Sequence, residues 1–415
     1  MRLLHTSDWH LGHTLHGLSR DFEHEAFLAW LLDLMGERGT DALIVAGDVF
    51  DSANPPASAQ RLLYRFLAEA RRRCPDLDVV VVAGNHDSAS RLEAPRPLLD
   101  GLGIHVVGAL ARTADGALDR ERLLVPLRSG SGEVEAWCVA IPFLRPVDLS
   151  LTDGSAGDPL IEGVRAVYRE AVALANERRV PGQALVATGH LYMVGGELSA
   201  LSERKILGGN QHALPPDVFG PGIAYAALGH LHLAQAVGGR DTVRYCGAPL
   251  PLSLDEARYP HQVVAVDLDG DRPARIEPLR TPRTVEILQV PGPEPGPLED
   301  VLEALAGLVL DDGLDPRRWP YVEVRVRLER PEPGLRVRIE GALAGRPARL
   351  LKISPTYPGT RRALADASPV RLLQEITPDE VFRLRYAQRH GGTPSSDLLD
   401  AYHSLVEQVQ AGGEP

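Results

Sequence analysis

Residues 78–87 read Asp78-Val-Val-Val-Val-Ala83-Gly84-Asn85-His86-Asp87, an apolar run that breaks abruptly into an amide, an imidazole and a carboxylate. Four successive valines favour extended backbone, because β-branched side chains pack well on a pleated surface. A run this short, closed by a glycine, reads as a buried strand. A loop leaving such a strand starts from a rigid base, so the side chains on it can be held in fixed positions. One such stretch decides little unless other strand ends carry partners for it.

The pattern recurs along the first 270 residues. Strands are expected at Arg2–Ser7, Ala42–Ala46, Val79–Ala83, Ala136–Ile141, Ala184–Thr188, Ala224–Leu228, Thr242–Cys246 and Gln262–Asp267. Between the first two, Phe22, Ala26, Phe27, Trp30, Leu31 and Leu34 recur at helical spacing. Between the second and third, Leu62, Leu63, Phe66, Leu67 and Ala70 do the same after the Pro55-Pro56 stop. Strands alternating with helices need crossover connections and predict an α/β core. The later part of this region is richer in strands. The expected architecture is therefore two packed mixed β-sheets flanked by helices, not one doubly wound sheet.

Metal-competent residues follow one strand after another. They are Asp8 and His10, then Asp48 after Gly47, then Asn85 and His86. Later strands give His190 after Gly189, and His230 and His232 after Gly229. Glycine lets the backbone turn sharply there, and ligands collect at strand carboxyl ends in layered α/β folds. Asp8, His10, Asp48, Asn85, His190, His230 and His232 offer oxygen and imidazole nitrogen without sulfur, a set suited to Mn²⁺, Fe²⁺ or Zn²⁺. So many donors exceed the needs of one ion and fit two, provided one carboxylate bridges. Two ions about 3.5–4 Å apart clamp a phosphate and lower the pKa of a water between them towards neutrality.

The order D-x-H, GD, GNHD, H, GHxH resembles the calcineurin-like metallophosphoesterases. Protein phosphatases of that superfamily carry a longer GDxVDRG and a GNHE. Here the text is Gly47-Asp48-Val-Phe50-Asp51-Ser52 and GNHD. The stretches LLHTSDWHLG (3–12), AGDVFDSANPP (46–56), GNHDSASRLE (84–93) and YCGAPLPLSLDE (245–256) resemble the SbcD family, the nuclease subunits of bacterial SbcCD complexes. This resemblance covers the whole chain.

It implies that Asp8, His10, Asp48 and His232 bind a first metal. Asp48, Asn85, His190 and His230 would bind a second, with Asp48 bridging and Mn²⁺ as the ion. His86 would face the scissile phosphate without coordinating, and Asp87 would orient it. Archaeal relatives have a second histidine where this chain has Asp51, which leaves Asp51 either a comparable role or a structural one in its loop. The implied activity is a metal-dependent DNA exonuclease and endonuclease in repair, recombination and replication. Hydrolysis of small or cyclic nucleotide phosphodiesters is the alternative within the superfamily, and a scaffold without catalysis is the alternative outside it. The implied partners are DNA, an SbcC-type ATPase with a coiled coil, and a second copy of the chain. The homodimer contact would lie around Leu62–Ala70 and Arg91–Leu102.

At 415 residues the chain is expected to hold two or three domains. A break is expected at Asp269–Pro282 and another near Ala367-Ser-Pro369, giving a hydrolytic core at 1–270, a small α+β capping domain at 281–366 and a helical segment at 376–413. In the last, Thr377-Pro378-Asp379-Glu380 combines an N-cap, a first-turn proline and a capping-box acid. Gly391-Gly392 then separates this helix from a second, whose apolar face is Leu398, Leu399, Tyr402, Leu405, Val406 and Val409. The resemblance makes this hairpin the site that docks on the ATPase.

A net charge of −12 is unusual for a protein that touches DNA. Twelve Arg/Lys and four Asp/Glu nevertheless lie between Arg317 and Arg362, a candidate phosphate-contacting stretch. Three scattered cysteines (Cys74, Cys138 and Cys246) form no CxxC pair and suit a reducing compartment. The chain opens at once on a strand-like run, which leaves no room for a signal peptide. No apolar run reaches the roughly 18–20 residues of a membrane span, so a cytoplasmic, membrane-free protein is expected. His5 and His13 flank the first motif and could touch DNA or a carboxylate. Trp9 reads as core.

Overall fold

The structure, a computed structural model, describes residues 1–149, 158–196 and 213–357, together with Tyr386 and Leu398, both helical. The rest of the helical hairpin expected at 376–413 lies outside the described residues. The Cα framework divides the chain into two units. The larger is Met1–Val326 with Gly334–Ser354, and the smaller is Arg327–Pro333 with the chain from Pro355 onward. Within the smaller unit, the Leu328 amide donates to the Thr356 carbonyl at 2.9 Å.

Alternation along the strands builds the core. In the first strand, Arg2–Thr6, Leu3 joins one hydrophobic cluster and Leu4 another. The same split separates Ile44 from Leu43 and Val45, and Val80 and Val82 from Val79 and Val81. One face of this sheet therefore packs on a second sheet through Leu3, Ile44, Val80, Val82, Val186, Tyr225 and Ala227. The other face packs on helices Asp21–Arg38 and Ala57–Arg73 through Phe27, Leu31, Leu63, Phe66 and Leu67. Trp9 lies in this second cluster, edge-on to Phe27 and Phe66.

Both large sheets are six-stranded and mixed. The first runs Arg272–Arg280, Gln262–Asp269, Arg2–Thr6, Ala42–Ala46, Asp78–Val82, Ile104–Val107. Its last four strands are parallel, while Gln262–Asp269 runs antiparallel to the first strand. The second sheet runs Gln235–Val237, Arg240–Tyr245, Tyr225–Gly229, Ala184–His190, Val134–Val139, Leu124–Arg128, with a parallel centre and antiparallel edges. Helix Pro159–Arg178 adds Val167, Tyr168 and Ala171 to the hydrophobic cluster that contains the second sheet. The expected α/β architecture of two mixed sheets flanked by helices is what the chain adopts.

The break expected at Asp269–Pro282 is instead largely a strand. Gly270, at φ +60°, turns the chain, and Arg272–Arg280 pairs antiparallel with Gln262–Asp269. Its prolines, Pro273 and Pro278, are tolerated because it is an edge strand. A third sheet follows, in which Ile287–Val290 pairs parallel with Tyr321–Arg327 beside helices Leu298–Ala306 and Leu335–Leu343. Tyr321 ties it to the core, its hydroxyl donating to Glu23 at 3.2 Å beneath the Arg349 guanidinium. Glu23 also pairs with the buried Arg20, which donates to the Pro251 carbonyl at 2.7 Å. Among the described residues no helix is long and apolar enough to cross a membrane.

Two buried imidazoles make the fold acid-sensitive. Burial pushes His5 and His24 down to about 3. In the unfolded chain each binds a proton below about 6.5, so stability is lost as pH falls from there towards the folded value. The thermal midpoint of the metal-free chain should decline across this window. His24→Leu should flatten the decline in unfolding free energy by about 1 kcal/mol per pH unit, and an unchanged slope would refute the assignment.

Candidate metal centre

The motifs lie where the strands end. Thr6 leads into Asp8 and His10, Ala46 into Asp48, and Val82 into Asn85 and His86. His190 closes its own strand, and Gly229 leads into His230 and His232. Asp8, His10, Asp48 and His230 all have positive φ, at 53°, 46°, 48° and 104°. Non-glycine residues rarely adopt that region, and such strain gathers at functional sites.

Backbone bonds hold these turns together. Asp8 donates its N–H to the Gly47 carbonyl, and His10 to that of Asp48, each at 3.0 Å. The His230 N–H reaches the Asp8 carboxylate at 3.0 Å, and the Ser7 hydroxyl donates to the same group. A Cβ on Gly84 would stand 2.1 Å from Asp48 Oδ1 and 2.3 Å from its backbone nitrogen. Glycine is required there because Asp48 fills the space.

The donors converge. Asp48 is almost wholly buried, and its Oδ2 lies 3.3 Å from His190 Nε2 and 3.5 Å from His10 Nε2. Asn85 Oδ1 lies 3.0 Å from His190 Nε2 and 3.2 Å from His230 Nδ1. Donor atoms of Asp8, His10 and His232 lie within 4.8 Å of one another, as do those of Asp8, Asp48 and His190. The imidazoles fall into two groups, His10 with His232 and His86, and His190 with His230. His86 also comes within reach of His10 and Asp48, but unlike them it is only half-buried.

These residues fit a cation. His190 Nδ1 must donate to the Ala46 carbonyl at 3.0 Å. In the neutral ring its Nε2 lone pair then faces two oxygens, those of Asn85 and Asp48. His10 Nε2 is buried without a hydrogen-bond partner, while its Nδ1 meets Asp51 at 3.2 Å. Lone pairs pointing at lone pairs in a buried space are unfavourable until positive charge sits between them. Without a metal, that charge comes from protons. Burial pulls His190 down, but Asp48 more than reverses this and lifts it to about 9. Asp48 is itself held well below the usual carboxylate range, because His190, His10 and His86 outweigh its burial.

Asp87 acts differently from the expectation. Its buried carboxylate accepts the N–H groups of Val49 at 3.1 Å, Phe50 at 2.9 Å and Gly84 at 2.9 Å. It joins the second motif loop to the third. His86 Nδ1 goes instead to the main-chain oxygen of Asp51 at 2.7 Å. Burial and the neighbouring Asp48 charge raise the Asp87 carboxyl to about 6. His5 is fully buried and bonded to the Tyr225 hydroxyl and the Leu228 carbonyl, which removes it from any DNA surface. His13 lies near Asp51, with burial holding its imidazole at about 4.

One residue escaped the sequence reading. Glu256 is fully buried, with Oε1 2.9 Å from His232 Nδ1. Its only sequence signal is an acid inside the stretch YCGAPLPLSLDE, remote in the chain from any ligand.

The calcineurin-like phosphoesterase family matches residues 1–234. The SbcD component of nuclease SbcCD from Rhodobacter capsulatus is 44% identical over 390 residues, covering 92% of this chain and 93% of that protein. The chain belongs to the SbcD family. Its Escherichia coli relative of the same name is 32% identical over 398 residues, 93% of each chain. The one from Bacillus subtilis is 32% identical over 424 residues, 99% of each. The type 5 capsule protein repressor C-terminal domain family, the SbcD C-terminal domain, matches residues 283–390.

Gly84→Ala should collapse this arrangement, costing about 3 kcal/mol or more through overpacking against Asp48. The expected result is a lower melting temperature together with weaker binding of divalent metal ions. Gly101→Ala, where an added Cβ meets nothing within 4 Å, is the control. Equal behaviour of the two variants would contradict the packing described.

Proposed function

We propose that this chain is the metal-dependent DNA nuclease subunit of an SbcCD-type complex. It would act exonucleolytically on double-stranded ends and endonucleolytically on single-stranded or hairpin DNA. The observation that carries the reading is Asp48 Oδ2, a single buried oxygen 3.3 Å from His190 Nε2 and 3.5 Å from His10 Nε2. It sits between two groups of donors, as a bridging ligand must. Kinship with nuclease subunits across 92–99% of the chain supports DNA over small or cyclic nucleotides as substrate.

In this reading Asp8, His10 and His232 hold one divalent ion, Asn85, His190 and His230 the other, with Asp48 shared. Mn²⁺ accords with the mixed oxygen and nitrogen donors. When bound, the pair supplies a clamp on the phosphate and an acidified water. The Asp51 carbonyl fixes His86 as the Nδ1–H tautomer, so proton transfer at a leaving oxygen runs through Nε2. Asp51 holds His10 with its side chain and His86 with its main chain, which favours a positioning role for it. Asp87 supports the same loops from beneath.

Residues 1–270 form the hydrolytic core in this proposal, 281–366 the cap, and 376–413 the helices that dock on the coiled coil of an SbcC-type ATPase. The basic stretch supports phosphate contact only in part. Arg317, Arg325, Arg336 and Arg338 pair with Asp315, Glu323, Glu340 and Glu299. Affinity for DNA is then shared with the partner, in keeping with an acidic total charge. A homodimer contact is supported by Leu98 and Leu102, which are 77% and 42% exposed. Leu62, Leu63, Phe66, Leu67 and Ala70 face the chain's own core, so on that helix the contact would use the opposite side. The site of action is the cytoplasm.

The test is Mn²⁺-dependent digestion of hairpin and blunt DNA by the full chain, with and without a coiled-coil ATPase partner. His86→Ala should lower hydrolysis by about 10²–10⁴-fold and leave Mn²⁺ stoichiometry unchanged. Activity on bis-p-nitrophenyl phosphate with none on any DNA, even with the ATPase present, would overturn the nuclease reading.

A further inference from the structure

A further carboxylate, outside all five motifs, is built against the site. Glu256 lies in the short 3₁₀ turn Asp255–Arg258 and is fully buried. Removing a carboxylate from water is costly unless every oxygen finds a donor. Oε1 meets His232 Nδ1 at 2.9 Å, and Oε2 accepts the Leu252 N–H at 2.8 Å. The segment carrying it is itself fastened to the His230-Leu-His232 turn. The Ala248 N–H donates to the His232 carbonyl at 3.1 Å. Gly247, at φ +78°, lies so close that a Cβ would stand 2.6 Å from that carbonyl. His261 closes the loop, its ring nitrogens 2.8 Å from the Ala248 carbonyl and 3.0 Å from the Glu256 carbonyl.

We propose that Glu256 is the positioning residue of the first metal site: it fixes His232 as the Nδ1–H tautomer and so turns Nε2 towards Asp8 and His10. A carboxylate accepting from one imidazole nitrogen makes the other a better donor and fixes the ring plane. The contact also accounts for a buried carboxylate that meets an imidazole, since positive charge on the far side of the ring compensates it. This inference rests on the two-ion reading above and concerns only one half of it. The loop 246–261 thereby becomes part of the metal site, although none of its residues is a ligand.

The test uses the full chain stripped of metal and titrated with Mn²⁺ by calorimetry. The wild type should bind two ions. Glu256→Ala should weaken one of them about 10–100-fold and leave the other unchanged. His232→Ala should weaken the same ion, and the double variant should be no worse than His232→Ala alone. Glu256→Gln keeps an acceptor oxygen and should restore part of the loss. Independently of any variant, ¹⁵N resonances of His232 in the metal-free wild type, recorded at alkaline pH where the ring is neutral, should show protonated Nδ1 and unprotonated Nε2. Unchanged affinity in Glu256→Ala, or additive losses in the double variant, would overturn the proposal. So would the opposite tautomer, which also decides the matter if the alanine variant fails to fold. A wild type that binds no Mn²⁺ would sink the two-ion reading instead, leaving the tautomer measurement to judge Glu256.

Discussion

A carboxylate taken out of water has to be met by donors or by positive charge, and Asp48 imposes that demand on its surroundings. Its Oδ1 accepts the His86 N–H at 2.9 Å, while Oδ2 is left to the imidazoles of His190 and His10. The absence of a side chain at Gly84 and the close approach of the third motif loop follow from seating this one group. Function follows from the same constraint. A site that raises His190 to about 9 without metal has an electrostatic preference for cations already built in.

Rigid strands alone would not hold the motif loops to within a fraction of an ångström. That is done by groups bonded to the loops and to the donor imidazoles. Asp87 joins the second and third loops through three N–H bonds, Asp51 steadies two imidazoles, and Glu256 steadies a third. Four of the donors have left-handed backbone, at about 1–3 kcal/mol each, and persist only because their neighbours over-determine them. Supporting groups and strained donors thus form one mechanical unit.

Most of the core and the donor set were legible in the sequence because both depend on local signals. Valine runs announce strands, and a glycine followed by a polar residue announces a strand end. What depends on contacts distant in sequence was not legible. Arg272–Arg280 looked like a break because its prolines and charges are common to loops and edge strands, and only its pairing with Gln262–Asp269 distinguishes them. Asp87 follows His86 in sequence, which suggested that it serves His86. Its side chain points the other way, to amides of a loop 37 and 38 residues distant. Glu256 was invisible because nothing local distinguishes an acid that reaches across to His232.

The alternation of Leu3 and Leu4 has a further meaning for how the chain tolerates change. These neighbours belong to opposite faces of one sheet, and the strand that holds them runs directly into Asp8 and His10. A slip by a single position would drag Leu4 to the face that packs on the second sheet and swing both donors off target at once. The grease between the layers therefore works as a ratchet for the chemistry. Any lengthening or shortening of that first strand would be felt as a misfolded interior before it could be felt as a weaker enzyme.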